Sequence, residues 1–218
     1  MKLNQKIKTS MSLAAAVATL ALAGSANAAT TYSNLEHDSL NPGVTLSSDW
    51  FSWFVGPGGD GSMRHSAGTV AAGTTPTKTV TWEFAAAHSN ALVAGATYDV
   101  YASFGMRSDF SSAAPYTVSG ISGGPTTLFA NMDSDEFVAW DATFDSVEYE
   151  LLGTVVIDNS GTTTVMLGNN VADSTVGGGD AGYVIGDRVL FDFVSVPEPS
   201  TTALLGLGGL ALILRRRK

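Results

Sequence analysis

The chain has 218 residues, enough for one domain with extensions at its ends, and it contains no cysteine. Disulfide bonds and thiolate metal sites are therefore excluded. Between Ala29 and Val196, 19 acidic residues stand against 4 basic ones, so this segment carries a net charge of −15. Phosphate backbones are bound by clustered lysine and arginine, so we expect no nucleic-acid binding.

The first 28 residues have the three regions of a secretory signal peptide. The basic start contains Lys2, Lys6 and Lys8. An apolar run extends from Met11 to Ala23, and Ala26 and Ala28 then fit the A-x-A cleavage pattern. We therefore predict cleavage after Ala28, in preference to an N-terminal helix of the folded body. The apolar run is too short to span a bilayer permanently.

The body, residues 29–195, consists of short alternating runs separated by Gly, Ser, Asn and Pro, a pattern typical of strands and turns. In one run Val80, Trp82 and Phe84 fall on the same face, and Trp82 is predicted to lie in the core. At most a short turn of helix is expected, near 85–90, and the segment Asp158–Gly161 predicts a hairpin turn. The predicted strands are 77–84, 97–104, 114–118, 150–157, 162–167, 182–185 and 188–194.

This spacing of strands favours an all-β fold made of a single, jelly-roll-like β-sandwich. The runs TVTWEF, ATYDVYASF, APYTVSG, YELLGTVVIDNSGTTTVMLGN and GYVIGDRVLF follow one another along the body. In that order they resemble the golvesin C-terminal and xanthan-lyase carbohydrate-binding-like domain. The resemblance implies the sandwich fold and, by analogy, carbohydrate binding. The chain departs from the pattern at Gly186–Arg188 and by an acidic insertion at 131–146.

Three tryptophans are candidates for contact with a sugar, because a flat aromatic face can stack on the C–H groups of a pyranose ring. Trp50 and Trp53 belong to the aromatic run WFSWF and, being an odd number of residues apart, would face opposite sides of a strand. Trp140 lies in the acidic segment DEFVAWDATF. A role in the core or at a sheet edge is the alternative for each of them.

Metal and catalytic sites have little support in the sequence. The acidic segment could hold Ca²⁺ or could be a solvated loop, and it lacks the glycine and spacing of an EF-hand. Its acidic residues are Asp133, Asp135, Glu136, Asp141 and Asp145. The histidines are scattered, and no carboxylate pair stands out for glycoside hydrolysis. We therefore expect no cofactor, no metal and no catalytic residue.

The tail, residues 196–218, combines a proline motif, a short apolar segment and a basic terminus. Pro197 and Pro199 keep the backbone extended around Glu198, which makes this motif readable by an enzyme. The apolar segment 201–214 would be about 21 Å long as a helix, less than a hydrocarbon core of about 30 Å. The basic terminus holds the end on the cytoplasmic side and consists of Arg215, Arg216, Arg217 and Lys218.

This layout resembles the PEP-CTERM sorting signal. The resemblance implies recognition of Pro197, Glu198 and Pro199 by an exosortase, transient anchoring in the inner membrane, and delivery to the cell surface or extracellular matrix. A plain C-terminal anchor that stays on the mature protein is the alternative. Together, the resemblance of the tail and that of the body predict an exported, non-catalytic protein that binds exopolysaccharide. The other hypotheses are a structural biofilm component without a specific ligand, and a small polysaccharide hydrolase.

Overall fold

The computed structural model describes residues 31–34, 42–47, 50–53, 63–66, 70–108, 110–171 and 183–196. These residues form strands and turns with one short 3₁₀ helix, Ala86–His88. The strands are β1 (Thr31–Asn34), β2 (Val44–Leu46), β3 (Trp50–Trp53), β4 (Met63–Ser66), β5 (Val70–Ala71), β6 (Thr79–Ala85), β7 (Thr97–Ser103), β8 (Ala114–Ser119), β9 (Thr126–Ala130), β10 (Ala142–Phe144), β11 (Val147–Val156), β12 (Thr162–Gly168), β13 (Asn170–Val171), β14 (Ile185–Gly186) and β15 (Arg188–Ser195).

Two five-stranded antiparallel sheets make up the sandwich. The first has the order β1-β15-β7-β11-β10, and the second has the order β2-β6-β12-β8-β9. Two smaller sheets are formed by β3, β4 and β14 and by the parallel pair β5 and β13. The predicted all-β sandwich is thus confirmed, and the described strands lie within the predicted body of 29–195.

Alternation of apolar residues explains why these segments form strands with one buried face. In β6 and β7 every second side chain is buried, as the sequence pattern predicts. The two inner faces meet through aromatic rings: Phe84 of β6 packs edge-on against Phe191 of β15, with 4.7 Å between the ring centroids. Trp82 is fully buried, as predicted, and stacks on Tyr116 of β8 at 6.1 Å.

The predicted hairpin at Asp158–Gly161 is wrong, because β11 and β12 belong to different sheets. The turn itself forms: the carboxylate of Asp158 accepts the N–H of Ser160 at 2.7 Å, and Gly161 has a φ of +78°. However, the N–H of Ile157 donates to the carbonyl of Ala96, directly before β7 of the first sheet. The chain then crosses to the second sheet. The sequence therefore predicted the turn correctly, but the predicted pairing of β11 with β12 does not form.

The sandwich has two ends, which we call the loop end and the base. At the loop end β7 finishes at Ser103, opposite Arg188, where β15 begins. At the base β7 begins at Thr97, opposite Ser195, where β15 finishes.

The short helix predicted near 85–90 is confirmed as Ala86–His88, which follows the end of β6.

The aromatic contact between the sheets gives a first prediction. Phe191→Ala removes a fully buried ring and should lower the free energy of unfolding by about 3–5 kcal/mol. Phe129→Ala is the matched control, because this ring is 54% exposed, and it should cost less than about 1 kcal/mol. Urea unfolding of the 29–196 body measures both, and equal losses would contradict the proposed core.

Candidate functional site

Three segments converge at the loop end: the connection after β7, the connection after β9, and the entry to β15. The N–H of Arg107 donates to the carbonyl of Met132, and the N–H of Ser134 donates back to the carbonyl of Arg107, at 3.3 and 3.2 Å. Ser111 accepts from Met132 and donates to Tyr183, both at 2.9 Å. These backbone bonds hold the loops at this end of the sandwich together.

An aromatic cluster extends from the core to the surface within this end. Phe104, which follows β7, is fully buried, whereas Phe137 and Trp140 on the loop after β9 are half-buried. The centroid of Trp140 lies 5.2 Å from that of Phe104 and 4.8 Å from that of Phe137. Between the two loop aromatics, Val138 is 96% exposed. The partly exposed ring of Trp140 therefore packs on the buried ring of Phe104.

A β-bulge in β11 places an acidic residue beneath this loop. The pairing of β11 with β7 shifts between Leu151 and Gly153, where one extra residue is accommodated. As a result Leu151 pairs with Tyr101 on the outer face, and Glu150 pairs with the fully buried Ala102 on the inner face. The bulge thus exposes a leucine and turns a glutamate toward the interior.

Glu150 and Asp141 fasten the two ends of the loop after β9 to β11. Both carboxylate oxygens of Glu150 accept the N–H of Asn131, at 3.1 and 3.3 Å. At the other end, Asp141 accepts the N–H of Leu151 through its carboxylate at 2.8 Å, and its own N–H donates to the carbonyl of Tyr149 at 2.9 Å. The loop that carries the aromatic cluster is therefore a closed, anchored structure.

The interior position of Glu150 changes its ionisation. Burial raises the pKa of Glu150 to about 7, the hydrogen bond from Asn131 opposes this rise, and the negative charge of Asp141 adds to it. Burial also raises the pKa of the fully buried Tyr116, and the carboxylates of Glu150 and Asp187 raise it further. The loop end therefore contains one carboxyl group that titrates near neutral pH.

The acidic loop uses its described carboxylates to fix its own backbone. Asp133 accepts the N–H of Asp135 at 2.9 Å, and its own N–H donates to the side chain of Asn131 at 3.0 Å. Among the residues that the structure describes, no group of three or more His, Asp or Glu side chains could hold a metal ion. Calcium binding at Asp133, Asp135, Glu136, Asp141 and Asp145 therefore gains no support from these residues.

The predicted sugar-contacting tryptophans lie in different places. Trp140 belongs to the aromatic cluster at the loop end. Trp50 is half-buried against the core, and its ring N–H donates to the hydroxyl of Ser47 at 3.3 Å. Trp53 lies on β3, and its side chain is outside the described part of the structure. A sugar-binding role remains a prediction for all three, and the geometry is most favourable at Trp140.

The predicted processing sites lie outside the described residues. At the N-terminus these are Ala26 and Ala28; at the C-terminus they are Pro197, Glu198, Pro199, Arg215, Arg216, Arg217 and Lys218. Within the described ranges, no helix is both long and apolar enough to cross a membrane. A transmembrane segment therefore remains a prediction from the sequence of the tail.

Sequence reasoning missed Glu150, which the structure places under the loop. Its strand reads YELLGTVV, and a glycine inside a strand pattern is a signal for a bulge. Gly153 could therefore have suggested the shift in pairing, although the sequence alone does not say on which side of the glycine the extra residue lies.

Comparison with known proteins identifies the tail. Residues 195–218 match the family model PEP_exosort_dom, the PEP-CTERM protein-sorting motif. The predicted sorting motif is therefore confirmed, and it implies an exported protein that is sorted by an exosortase. No curated protein matches this chain.

Comparison with solved structures supports the fold of the body. A xanthan lyase from Paenibacillus aligns with a TM-score of 0.53 and 21% identity, over 77% of this chain and 13% of the lyase. This chain therefore corresponds to a small part of the lyase, and at this identity the likeness establishes the sandwich fold alone. A GH26-CBM35 β-(1,4)-mannanase from Podospora anserina aligns at 14% identity with a TM-score of 0.40, over 79% of this chain and 29% of the mannanase.

The burial of Glu150 predicts a pH-dependent stability. The carboxyl titrates near 4.5 when unfolded and near 7 when folded, so the native state holds the extra proton between these values. The free energy of unfolding should therefore fall as the pH rises from 4.5 through 7. The full shift corresponds to about 3.4 kcal/mol, which we reduce to about 1–2 kcal/mol because the carboxylate is partly exposed.

Glu150→Gln keeps an oxygen for the N–H of Asn131 and removes the titration. The variant should lose this fall and be more stable than the wild type at pH 8, with little difference between the two at pH 4. Denaturant unfolding across pH 4–8 measures this, and parallel curves for the two proteins would contradict the interior position of the carboxylate.

Proposed function

We propose that this protein is exported, is sorted by an exosortase through its tail, and binds polysaccharide without cleaving it through the loop end of its sandwich. The PEP-CTERM match at 195–218 is the observation that carries the sorting part of the proposal. We further propose that delivery ends at the cell surface or in the extracellular matrix, where an exopolysaccharide is the ligand.

The aromatic cluster supports polysaccharide binding. Trp140 keeps part of its ring exposed, and its packing on Phe104 and Phe137 fixes the plane of the ring before any ligand arrives. A pre-oriented tryptophan loses little conformational freedom on binding, which favours affinity. The exposed carboxylates of Asp135 and Glu136 on the same loop could accept hydrogen bonds from sugar hydroxyls. A neutral glycan suits this surface better than an anionic one, because the body carries a charge of −15.

The environment of the carboxylates supports binding without hydrolysis. Glycoside hydrolysis needs two carboxyl groups that converge on one bond. At the loop end Asp133, Asp141 and Glu150 each accept a backbone N–H of the protein itself. Their hydrogen bonds thus serve the architecture of the loop. Incubating the 29–196 body with envelope polysaccharide and assaying new reducing ends tests this part, and turnover would overturn it.

Trp140 provides the test of binding. Trp140→Ala should weaken retention on neutral envelope polysaccharide by about tenfold or more, since buried tryptophan anchors commonly contribute at least that much. Trp140→Phe is the matched variant, because it keeps an aromatic ring on Phe104 and should lose less.

Pull-down on purified exopolysaccharide measures the retained fraction, and thermal unfolding shows whether each variant is folded. Equal retention of folded wild type and folded Trp140→Ala would contradict a binding role for the loop end.

The sorting motif gives a separate prediction. Replacing Pro197, Glu198 and Pro199 by alanine should leave the tail attached and the protein in the membrane fraction, whereas Thr202→Ala should be processed normally. Mass spectrometry of the protein recovered from its native envelope distinguishes the two. Recovery of wild-type protein outside the cell with Arg215–Lys218 still present would overturn processing.

A further inference from the structure

The strand β15 leads directly into the sorting motif. It ends at Ser195, which pairs with Thr97 at the base, and the motif match begins at the same residue. Val196 is the one residue between this paired position and Pro197. Since a residue spans at most about 3.6 Å, Pro197 lies within about 7 Å of the last paired residue. The motif therefore begins two residues after the last paired residue of the body.

The end of β15 is held firmly, which limits how far the motif can move away. The strand pairs with β7 from Arg188 to Ser195, and its first half, Arg188–Phe191, also pairs with β1. Phe193 packs edge-on against Tyr98 at 5.8 Å, and the fully buried Phe191 contacts both Tyr98 and Phe84. Freeing more chain would pull Phe193 and then Phe191 out of the core. An enzyme that reads the motif on the folded protein therefore works beside the base.

Three exposed valines surround this exit and form what we call the valine rim. Val156 is 38% exposed, Val194 is 50% exposed and Val196 is 46% exposed. Val156 and Ser195 both pair with Thr97, and Val194 directly precedes Ser195 at an irregularity in the pairing. Exposed apolar side chains that lie together commonly mark a contact surface.

We propose that the exosortase docks on the valine rim while it reads Pro197–Pro199, so that body and tail are recognised together. This inference rests on the proposed sorting function. An enzyme that encloses Pro197 must approach within about 7 Å of the base, so its surface meets the rim. Thr201, where the apolar segment begins, is five positions after Val196 and so lies within about 18 Å of it. This places the contact close to the membrane. Apolar side chains of the enzyme beside the site that reads the motif would complement the three valines.

The test follows removal of the tail from the full chain in cells that contain its sorting system. Val156→Thr combined with Val194→Thr keeps β-branched residues in the strands and removes apolar surface. We expect processing in a pulse-chase experiment to slow at least threefold. The matched control is Phe129→Thr with Leu151→Thr, which removes exposed apolar surface away from the base and should process at the wild-type rate.

A disulfide distinguishes docking on the folded body from reading of an unfolded tail. Thr97 and Ser195 are direct partners in an antiparallel pair, where Cα atoms are about 4.5–5.5 Å apart, a separation that a disulfide bridges. Thr97→Cys with Ser195→Cys therefore locks the end of β15 in a chain that has no other cysteine. We expect the oxidised and reduced forms to be processed at the same rate. Arrest of the oxidised form would overturn the inference.

The outcomes separate this inference from the sorting function. If the wild-type tail is never removed, the sorting function fails and the docking inference fails with it. If the wild type is processed and the rim variant keeps its rate, docking alone is overturned. Slower processing together with loss of the uncleaved rim variant from the membrane would assign the valines to lipid, which also overturns docking on the enzyme.

Discussion

The packing of two alternating apolar faces against each other is the constraint on which the rest of this molecule depends. Phe84 and Phe191 meet across the sandwich, and Trp82 and Tyr116 stack beside them. Because side chains alternate along a strand, the burial of these rings determines to which side of the sheet each neighbouring side chain points. The loops, the bulge and the exit of the tail all take their positions from this interface.

Against that regular background, the bulge in β11 is a local exception with a consequence for the surface. A strand without it would point Glu150 outward and Leu151 inward, the arrangement that burial favours for these residue types. The observed arrangement costs apolar burial and desolvates a carboxylate. In return, Glu150 reaches the N–H of Asn131 and closes the loop that carries Trp140. Such departures from local preference concentrate where proteins bind ligands.

Features governed by local pattern were predictable from the sequence, and features governed by pairing were not. The alternation around Val80 and Tyr98 was enough to place β6 and β7 and their buried faces. The turn at Asp158–Gly161 has its expected chemistry, yet it joins two sheets, since a turn signal does not specify the partner of the next strand. Trp140 was one of three candidate sugar contacts, but its packing on Phe104 and the anchoring of its loop by Glu150 depend on contacts between distant segments. The sorting motif was readable because it acts as a linear signal.

The course of β15 has a mechanical consequence. If a ligand held the loop end while the tail was still attached at the base, tension would run parallel to this strand. The strand is hydrogen-bonded to β7 along its length and to β1 over Arg188–Phe191, so these ladders would be loaded in shear, with several bonds sharing the force at once. Loading from a single edge would instead open bonds one after another. The strand that leads into the sorting motif thus suits a tether under drag.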